Sequence, residues 1–229
     1  MPLMSPSLLK NPEILEPDYT PEKIVGKTEI IEEISSHIST PGRHLHLFGP
    51  RGSGKTLLVQ RAVEQSVQAT SWFYISCVNQ DTQYKVLTGL LEQLTDEEIS
   101  AGYHTAQLQD RVAELADGRR LVIVLEEVDF LLENDASDLL YYLSRLNHDG
   151  LNIITVSTRC DDLSSRIDER TDSTLNPKPQ SLKPYSITET YKILEQRTRT
   201  ALSRDLPSRR TLSGPSRSAP RTSTWHCSG

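Results

Sequence analysis

The spacing of apolar residues changes several times along the chain, and each change marks an element. Between Lys27 and Ser39, Ile30, Ile31, Ile34 and Ile38 recur three or four residues apart, with acids on the other face. That period is helical, and Pro41-Gly42 ends it. His44–Phe48 is short, mostly apolar and strand-like. Thr56–Ala69 sets Leu57, Leu58, Ala62 and Val63 on one helical face, and Ser71–Cys77 (SWFYISC) is aromatic and β-branched, as strands are. Two helices follow. Gln83–Leu94 carries Val86, Leu87, Leu90, Leu91 and Leu94, and Thr105–Ala116 carries Leu108, Val112 and Leu115 before Gly118 stops it. Leu121–Leu125 is a continuous apolar run, the pattern of a strand buried on both faces of a parallel sheet, and Leu151–Val156 (LNIITV) reads as another buried strand. Ala136–Leu146 between them is helical. The charged stretch Asp161–Asp172 reads as a short helix, Ser181–Lys183 as a weak strand, and Thr188–Leu202 as a helix with a capping-box-like start. Strands alternating with helices predict an α/β fold, a three-layer α/β/α arrangement around a parallel five-stranded sheet.

Both ends lack this patterning. Residues 1–26 hold five prolines (2, 6, 12, 17 and 21) and no apolar period, which predicts an extended arm. From Ser203 onward there are seven Ser, five Arg and three Pro in 27 residues. Such a composition cannot bury a core and predicts disorder. Two origins fit this tail: a natural disordered segment, or a frameshift that replaced the rest of a domain begun at 188–202. The expected division is an arm at 1–26, a core at 27–187, the start of a helical lid at 188–202, and the tail at 203–229.

Charge adds a constraint. The net charge is -6, and because the tail holds five Arg against Asp205, residues 1–202 carry -10. An acidic body argues against a broad basic face for nucleic acid. No apolar run reaches the roughly 18 residues of a membrane span, and the first residues lack the basic-then-apolar order of a signal peptide. Cys77, Cys160 and Cys227 lie far apart without metal-ligand spacing, as expected of a reducing, cytoplasmic setting.

The chemistry concentrates at two places. Gly49-Pro50-Arg51-Gly52-Ser53-Gly54-Lys55-Thr56, between a strand and the helix expected from Thr56, matches G-x-x-x-x-G-K-[ST]. In such a loop glycines let successive N–H groups face phosphate oxygens, and the helix N-terminus adds partial positive charge. Lys55 is placed for the β- and γ-phosphates and Thr56 for Mg²⁺. About 70 residues on, the buried run Leu121–Leu125 ends in Glu126-Glu127. Acids at that strand end fit a second nucleotide-site element, Glu126 holding Mg²⁺ through water and Glu127 orienting the attacking water. ATP or ADP with Mg²⁺ is the expected occupant.

The ordered set GPRGSGKT, LVIVLEEVDFLL, ITVSTRCDDL and RIDERTDSTL resembles the AAA+ module of archaeal replication initiators of the origin-recognition-complex subunit 1 / cell division control protein 6 type. EPDYTPEKIVGKTEIIEEI resembles that family's segment before the P-loop, and PYSITETYKILEQR its passage into the helical lid. The resemblance covers roughly residues 10–202. It implies that Gly52 to Leu57 bind phosphates and Mg²⁺ and that Glu127 activates water. It places Thr158 at the polar position called sensor 1, in reach of the γ-phosphate or the water. It also implies that Arg170 faces a neighbouring subunit's ATP, that Tyr185 and Arg197 contact nucleotide at the lid junction, and that Tyr19, Ile24 and Val25 neighbour the adenine.

The resemblance further implies ATP binding and hydrolysis controlling assembly on origin DNA, with self-association or other initiator subunits as partners and no membrane. Three departures shape this expectation. Glu126 stands where the family usually has Asp, and Thr158 where it often has Asn. Nothing beyond residue 202 resembles the rest of the lid or the winged-helix DNA-binding domain, so the module is expected to be truncated and its DNA binding weak; the helical stretch 83–117 offers few bases, among them Lys85 and Arg111. Two other readings remain open: a hydrolysis-deficient paralogue that binds nucleotide without initiating replication, and a signalling-type P-loop ATPase.

Overall fold

The structure is a computed structural model and describes residues 9–16, 19–21, 23–66, 71–99, 102–134, 137–146, 150–159 and 163–202. In chain order the elements are α1 (Thr28–Ser39), β1 (Leu45–Phe48), α2 (Lys55–Ser66), β2 (Ser71–Ser76), α3 (Gln83–Thr95), α4 (Thr105–Ala116), β3 (Leu121–Glu126), α5 (Val128–Leu132), α6 (Ser137–Arg145), β4 (Leu151–Ser157), α7 (Glu169–Leu175), β5 (Lys178–Ser181) and α8 (Ile187–Ala201). Contacts divide the chain into a large unit, residues 26–185, and a small one of residues 1–25 with 186–229.

In the large unit five parallel strands run in the order β2-β3-β4-β1-β5. The two strands expected to be buried, β3 and β4, lie inside the sheet. Every residue from Leu121 to Leu125 and from Leu151 to Ser157 is buried, as double-faced burial requires. Alternation along them feeds two layers. Leu121, Ile123, Leu125, Leu151 and Ile153 join a core with Val86, Leu87, Leu90 and Leu91 of α3, Leu108 and Val112 of α4, and Leu139, Leu140 and Leu143 of α6. Val122, Val124, Ile154 and Val156 face the opposite side, which α1 and α2 cover with Ile34, Ile38, Leu58 and Ala62. Each such side chain contributes about 1.5–3 kcal/mol when fully buried. Asn152 ties that side together, its Nδ2 donating to the carbonyls of Thr40 (2.8 Å) and Arg43 (2.7 Å) past the end of α1.

The expected elements form, with four differences. A five-residue helix, α5, follows β3 directly. The charged stretch expected as one helix at 161–172 becomes a single 3-10 turn at Leu163–Ser165 and then α7, because Asp168 caps α7 by accepting from the Thr171 N–H at 2.7 Å. The fifth strand lies at Lys178–Ser181, slightly earlier than expected, and its Pro179 is tolerated because β5 is an edge strand. The arm is not extended throughout: Pro12–Leu15 forms a 3-10 turn, with Pro12 at its first position. The tail at 203–229 and residues Cys160 and Cys227 lie outside the described residues.

The small unit is built from α8 and the arm. Ser186 and Glu189 form the capping box at its N-terminus. At the other end, the carbonyl of Ala201 accepts from the Lys10 N–H (2.8 Å) and that of Thr200 from Asn11 Nδ2 (3.4 Å), so the arm satisfies acceptors that a helix end leaves open. Among the described residues no helix is long and apolar enough to cross a membrane.

Candidate functional site

The loop between β1 and α2 is shaped by its neighbours. Gly49 meets the Leu182 backbone so closely that an added Cβ would overlap the Leu182 carbonyl oxygen. Gly54 has φ +88°, and a Cβ there would stand 2.8 Å from the Tyr185 hydroxyl. Pro50, Arg51, Gly52 and Ser53 carry the chain from β1 to Lys55, the first residue of α2. The Ser53 hydroxyl is buried with no hydrogen-bond partner among the described residues. Lys55 is itself buried, and its Nζ donates to the carbonyls of Gly49 (2.7 Å) and Pro50 (3.0 Å). Tyr185 is the last residue of the large unit. Lys27 Nζ lies 5.0 Å from the centre of its ring and donates to the Lys183 carbonyl at 3.0 Å.

Opposite the loop stand the ends of β3 and β4. The Thr56 hydroxyl donates to Glu126 Oε1, so the two residues read from sequence as metal ligands, 70 positions apart, are in direct contact. Burial raises the Glu126 pKa, as does the neighbouring Glu127 carboxylate, against the opposing pull of Thr56 and Lys55. Two hard oxygen donors of this kind suit Mg²⁺, which binds through one or two protein oxygens and completes its shell with phosphates and water. Among the described residues there is no cluster of three or more His, Cys, Asp or Glu able to hold a metal alone.

Glu127 follows with φ 52° and ψ 45°, the left-handed region that a residue with a Cβ rarely enters. Arg51, Gly52, Gly54, Lys55, Thr56 and Leu57 on one side and Glu126, Glu127 and Thr158 on the other enclose a cavity of about 280 Å³. Nine of the sequence-derived site residues thus share one space.

Asp129 had no assigned role in the sequence and proves to be the best-connected side chain at this end of the sheet. It is buried, and it accepts from Ser157 Oγ (3.0 Å to each oxygen), from the Thr158 N–H (2.8 Å) and Oγ1 (3.3 Å), and from Arg166 Nη1 (2.5 Å). Burial pushes its pKa up, but the donors from Thr158, Arg166 and Ser157 outweigh it and leave the carboxyl below the usual range. Its signal in the sequence is a third acid, three residues after Glu126, in LEEVD; Arg166 left no signal of its own. Cys77, at the end of β2, is also buried there, and burial with the Glu127 and Asp129 charges pushes its thiol up to about 12.

Arg170 does not join this cavity. It lies on α7, stacks on the Tyr141 ring (3.8 Å) and pairs with Asp138 (3.2 Å), exposed, on a larger open cleft of about 650 Å³ between α4 and α6. Size does not locate the chemistry here: the smaller cavity holds the loop, the paired oxygens and the acids. Arg197, Tyr19, Ile24 and Val25 belong to the small unit.

Residues 38–167 match the AAA domain family. The chain is 31% identical over 214 residues to ORC1-type DNA replication protein 1 of Methanosarcina acetivorans, covering 85% of this chain and 51% of that protein. It is also 31% identical over 206 residues to the protein of the same description from Sulfurisphaera tokodaii, covering 83% and 51%. The chain therefore spans about half the length of these curated relatives. Among solved structures, the Aeropyrum pernix ORC1 protein in complex with DNA superposes with a TM-score of 0.77 at 20% identity, covering 87% of this chain and 56% of that one. Cdc6p from Pyrobaculum aerophilum superposes with a TM-score of 0.75 at 16% identity, covering 87% and 56%. At such identities these two likenesses describe the fold.

Proposed function

The chain belongs to the AAA domain family, and on that premise we propose that it carries a module of the archaeal origin-recognition-complex subunit 1 / cell division control protein 6 type, which binds ATP and hydrolyses it to control assembly on origin DNA. The observation that carries the reading is the contact of Thr56 with Glu126 at the mouth of a glycine loop, with Lys55, Glu127 and Thr158 around the same cavity.

Each residue then has a task. The loop from Gly49 to Leu57 cradles the phosphates, and the unpartnered Ser53 hydroxyl fits a loop built to meet oxygen acceptors. Lys55 exchanges its carbonyl partners for phosphate oxygens, and Thr56, with Glu126 acting through water, would hold Mg²⁺, which would supply charge neutralisation on the phosphates. Glu127 orients a water whose oxygen bonds to the γ-phosphorus as the bond to the leaving ADP oxygen breaks; the water's proton passes through Glu127. Tyr185, beside Gly54, contacts the nucleotide. Arg170, outside its own cavity, serves the ATP of an adjoining subunit, a role worth a thousandfold or more in rate where such fingers act. Origin DNA and other initiator subunits are the partners. The relatives' names, ORC1-type DNA replication protein, support this reading.

Calorimetry tests it. Wild type binds Mg-ATP, Lys55→Ala loses at least tenfold in affinity, and Glu127→Gln keeps affinity while turnover disappears. Equal ATP affinity in Lys55→Ala and wild type would sink the proposal. A second reading, a paralogue that binds ATP without turnover, is favoured by Glu126: its extra methylene displaces the carboxylate by about a bond length relative to Asp. Steady hydrolysis by this chain alone eliminates it.

A further inference from the structure

Thr158 lines the cavity, and the single proton of its hydroxyl has a destination. An alcohol carries one donor and two lone pairs. The acceptor of the Thr158 hydroxyl among the described residues is Asp129 Oδ2, at 3.3 Å, and the same oxygen takes the Thr158 N–H at 2.8 Å. Asp129 cannot turn away to release that proton. Its other oxygen is held by Arg166 at 2.5 Å, and Ser157 bonds both oxygens at 3.0 Å. Four donor groups around one buried carboxylate keep it ionised and immobile, and the lowered Asp129 pKa agrees.

We propose that Asp129 is a positioning residue that accepts the hydrogen bond of the Thr158 hydroxyl, so that Thr158 faces the cavity as a hydrogen-bond acceptor and holds the attacking water rather than the terminal phosphate. The inference rests on the ATP-hydrolysing reading above. A phosphate oxygen is itself an acceptor and gains nothing from Thr158 so arranged. A water molecule has two O–H donors and must keep a lone pair for phosphorus. Glu127 and Thr158, which line the same cavity, offer two acceptors, one for each O–H. The lone pair is then left for the γ-phosphorus. An Asn at position 158 would instead bring an amide donor able to bond phosphate directly, so the Thr departs from the family in what it recognises as well as in reach.

The test compares ATP and ADP affinities with turnover in the full chain. Thr158→Val keeps the ATP-to-ADP affinity ratio within twofold of wild type and lowers turnover at least tenfold, and Thr158→Ser, which retains the hydroxyl, restores it. Asp129→Asn lowers turnover to a similar degree with ATP affinity within about threefold, and adding Thr158→Val to it costs no more, since both act on one hydrogen bond. A tenfold loss of ATP preference in Thr158→Val overturns the proposal, because the hydroxyl would then be a phosphate donor. So do multiplicative losses in the double variant. A wild type that binds ATP and never turns it over also overturns the positioning role while leaving nucleotide binding intact; a wild type that binds neither nucleotide removes the underlying reading as well.

Discussion

Glu127 joins β3 to α5 in a left-handed backbone conformation, although a helix N-cap ordinarily sits in the β region. For a residue with a Cβ that conformation costs about 1–2 kcal/mol. Comparing Glu127→Ala with Glu127→Gly isolates the cost, since both remove the carboxylate and only one keeps the Cβ. Glycine recovers the strain but adds unfolded-state freedom worth about 0.4–1 kcal/mol. The net expectation is that Glu127→Gly is more stable than Glu127→Ala by about 0.5–1 kcal/mol, or ~1–4 °C in melting temperature for a chain of this size. Both variants lose turnover by a hundredfold or more, the scale of a lost acid–base group. Differential scanning calorimetry with a coupled phosphate-release assay reads both effects. If Glu127→Gly melts below Glu127→Ala, the backbone at 127 stores no strain, and the idea that stability is given up to aim this carboxylate is wrong.

Gly49→Ala drives a methyl group onto the Leu182 carbonyl and is expected to cost at least about 2 kcal/mol in urea unfolding, a burden that only a backbone shift relieves. Asn152→Leu leaves the carbonyls of Thr40 and Arg43 without their buried donor and is expected to cost about 2–3 kcal/mol by the same measurement. The Asp129 carboxyl has a folded pKa below its unfolded value near ~3.9, so its contribution is complete above that value and fades as pH falls through the folded pKa. Wild type therefore loses stability on acidification below about pH 4 more steeply than Asp129→Asn, read as chevron or urea midpoints against pH.

Long periodic segments were legible because burial writes them into the sequence. Leu121–Leu125 is apolar at every position and Leu151–Val156 at all but Asn152 and Thr155, because the sheet is covered on both sides there. β5 left almost no trace, since an edge strand reading KPQS buries little, and the sequence placed it slightly late. α5, at five residues, is shorter than two helical turns and offers no period. At the site, the loop and the paired acids were legible because phosphate binding demands glycines and strand-end acids at fixed spacing. Asp129 was hidden because its partners, Ser157, Thr158 and Arg166, come together only through the neighbouring positions of β3 and β4 in the sheet. Likewise the motif could name Arg170 but not show that Tyr141 and Asp138 hold it.

β1 pairs on one side with β4 and on the other with β5, both of which come much later in the chain. His46, for example, bonds Thr155 across 109 positions. At synthesis rates of about 5–20 residues per second, the strand that launches the glycine loop waits roughly 5–20 s for its first partner. During that interval β2 and β3 can pair with each other, but Leu45–Phe48 has unmatched backbone on both edges. The element most committed to function is thus among the last to be secured at birth. A ribosome that pauses before β4 leaves a nascent chain whose glycine loop has no sheet behind it, so the interval before residue 157 is where a chaperone has most to protect.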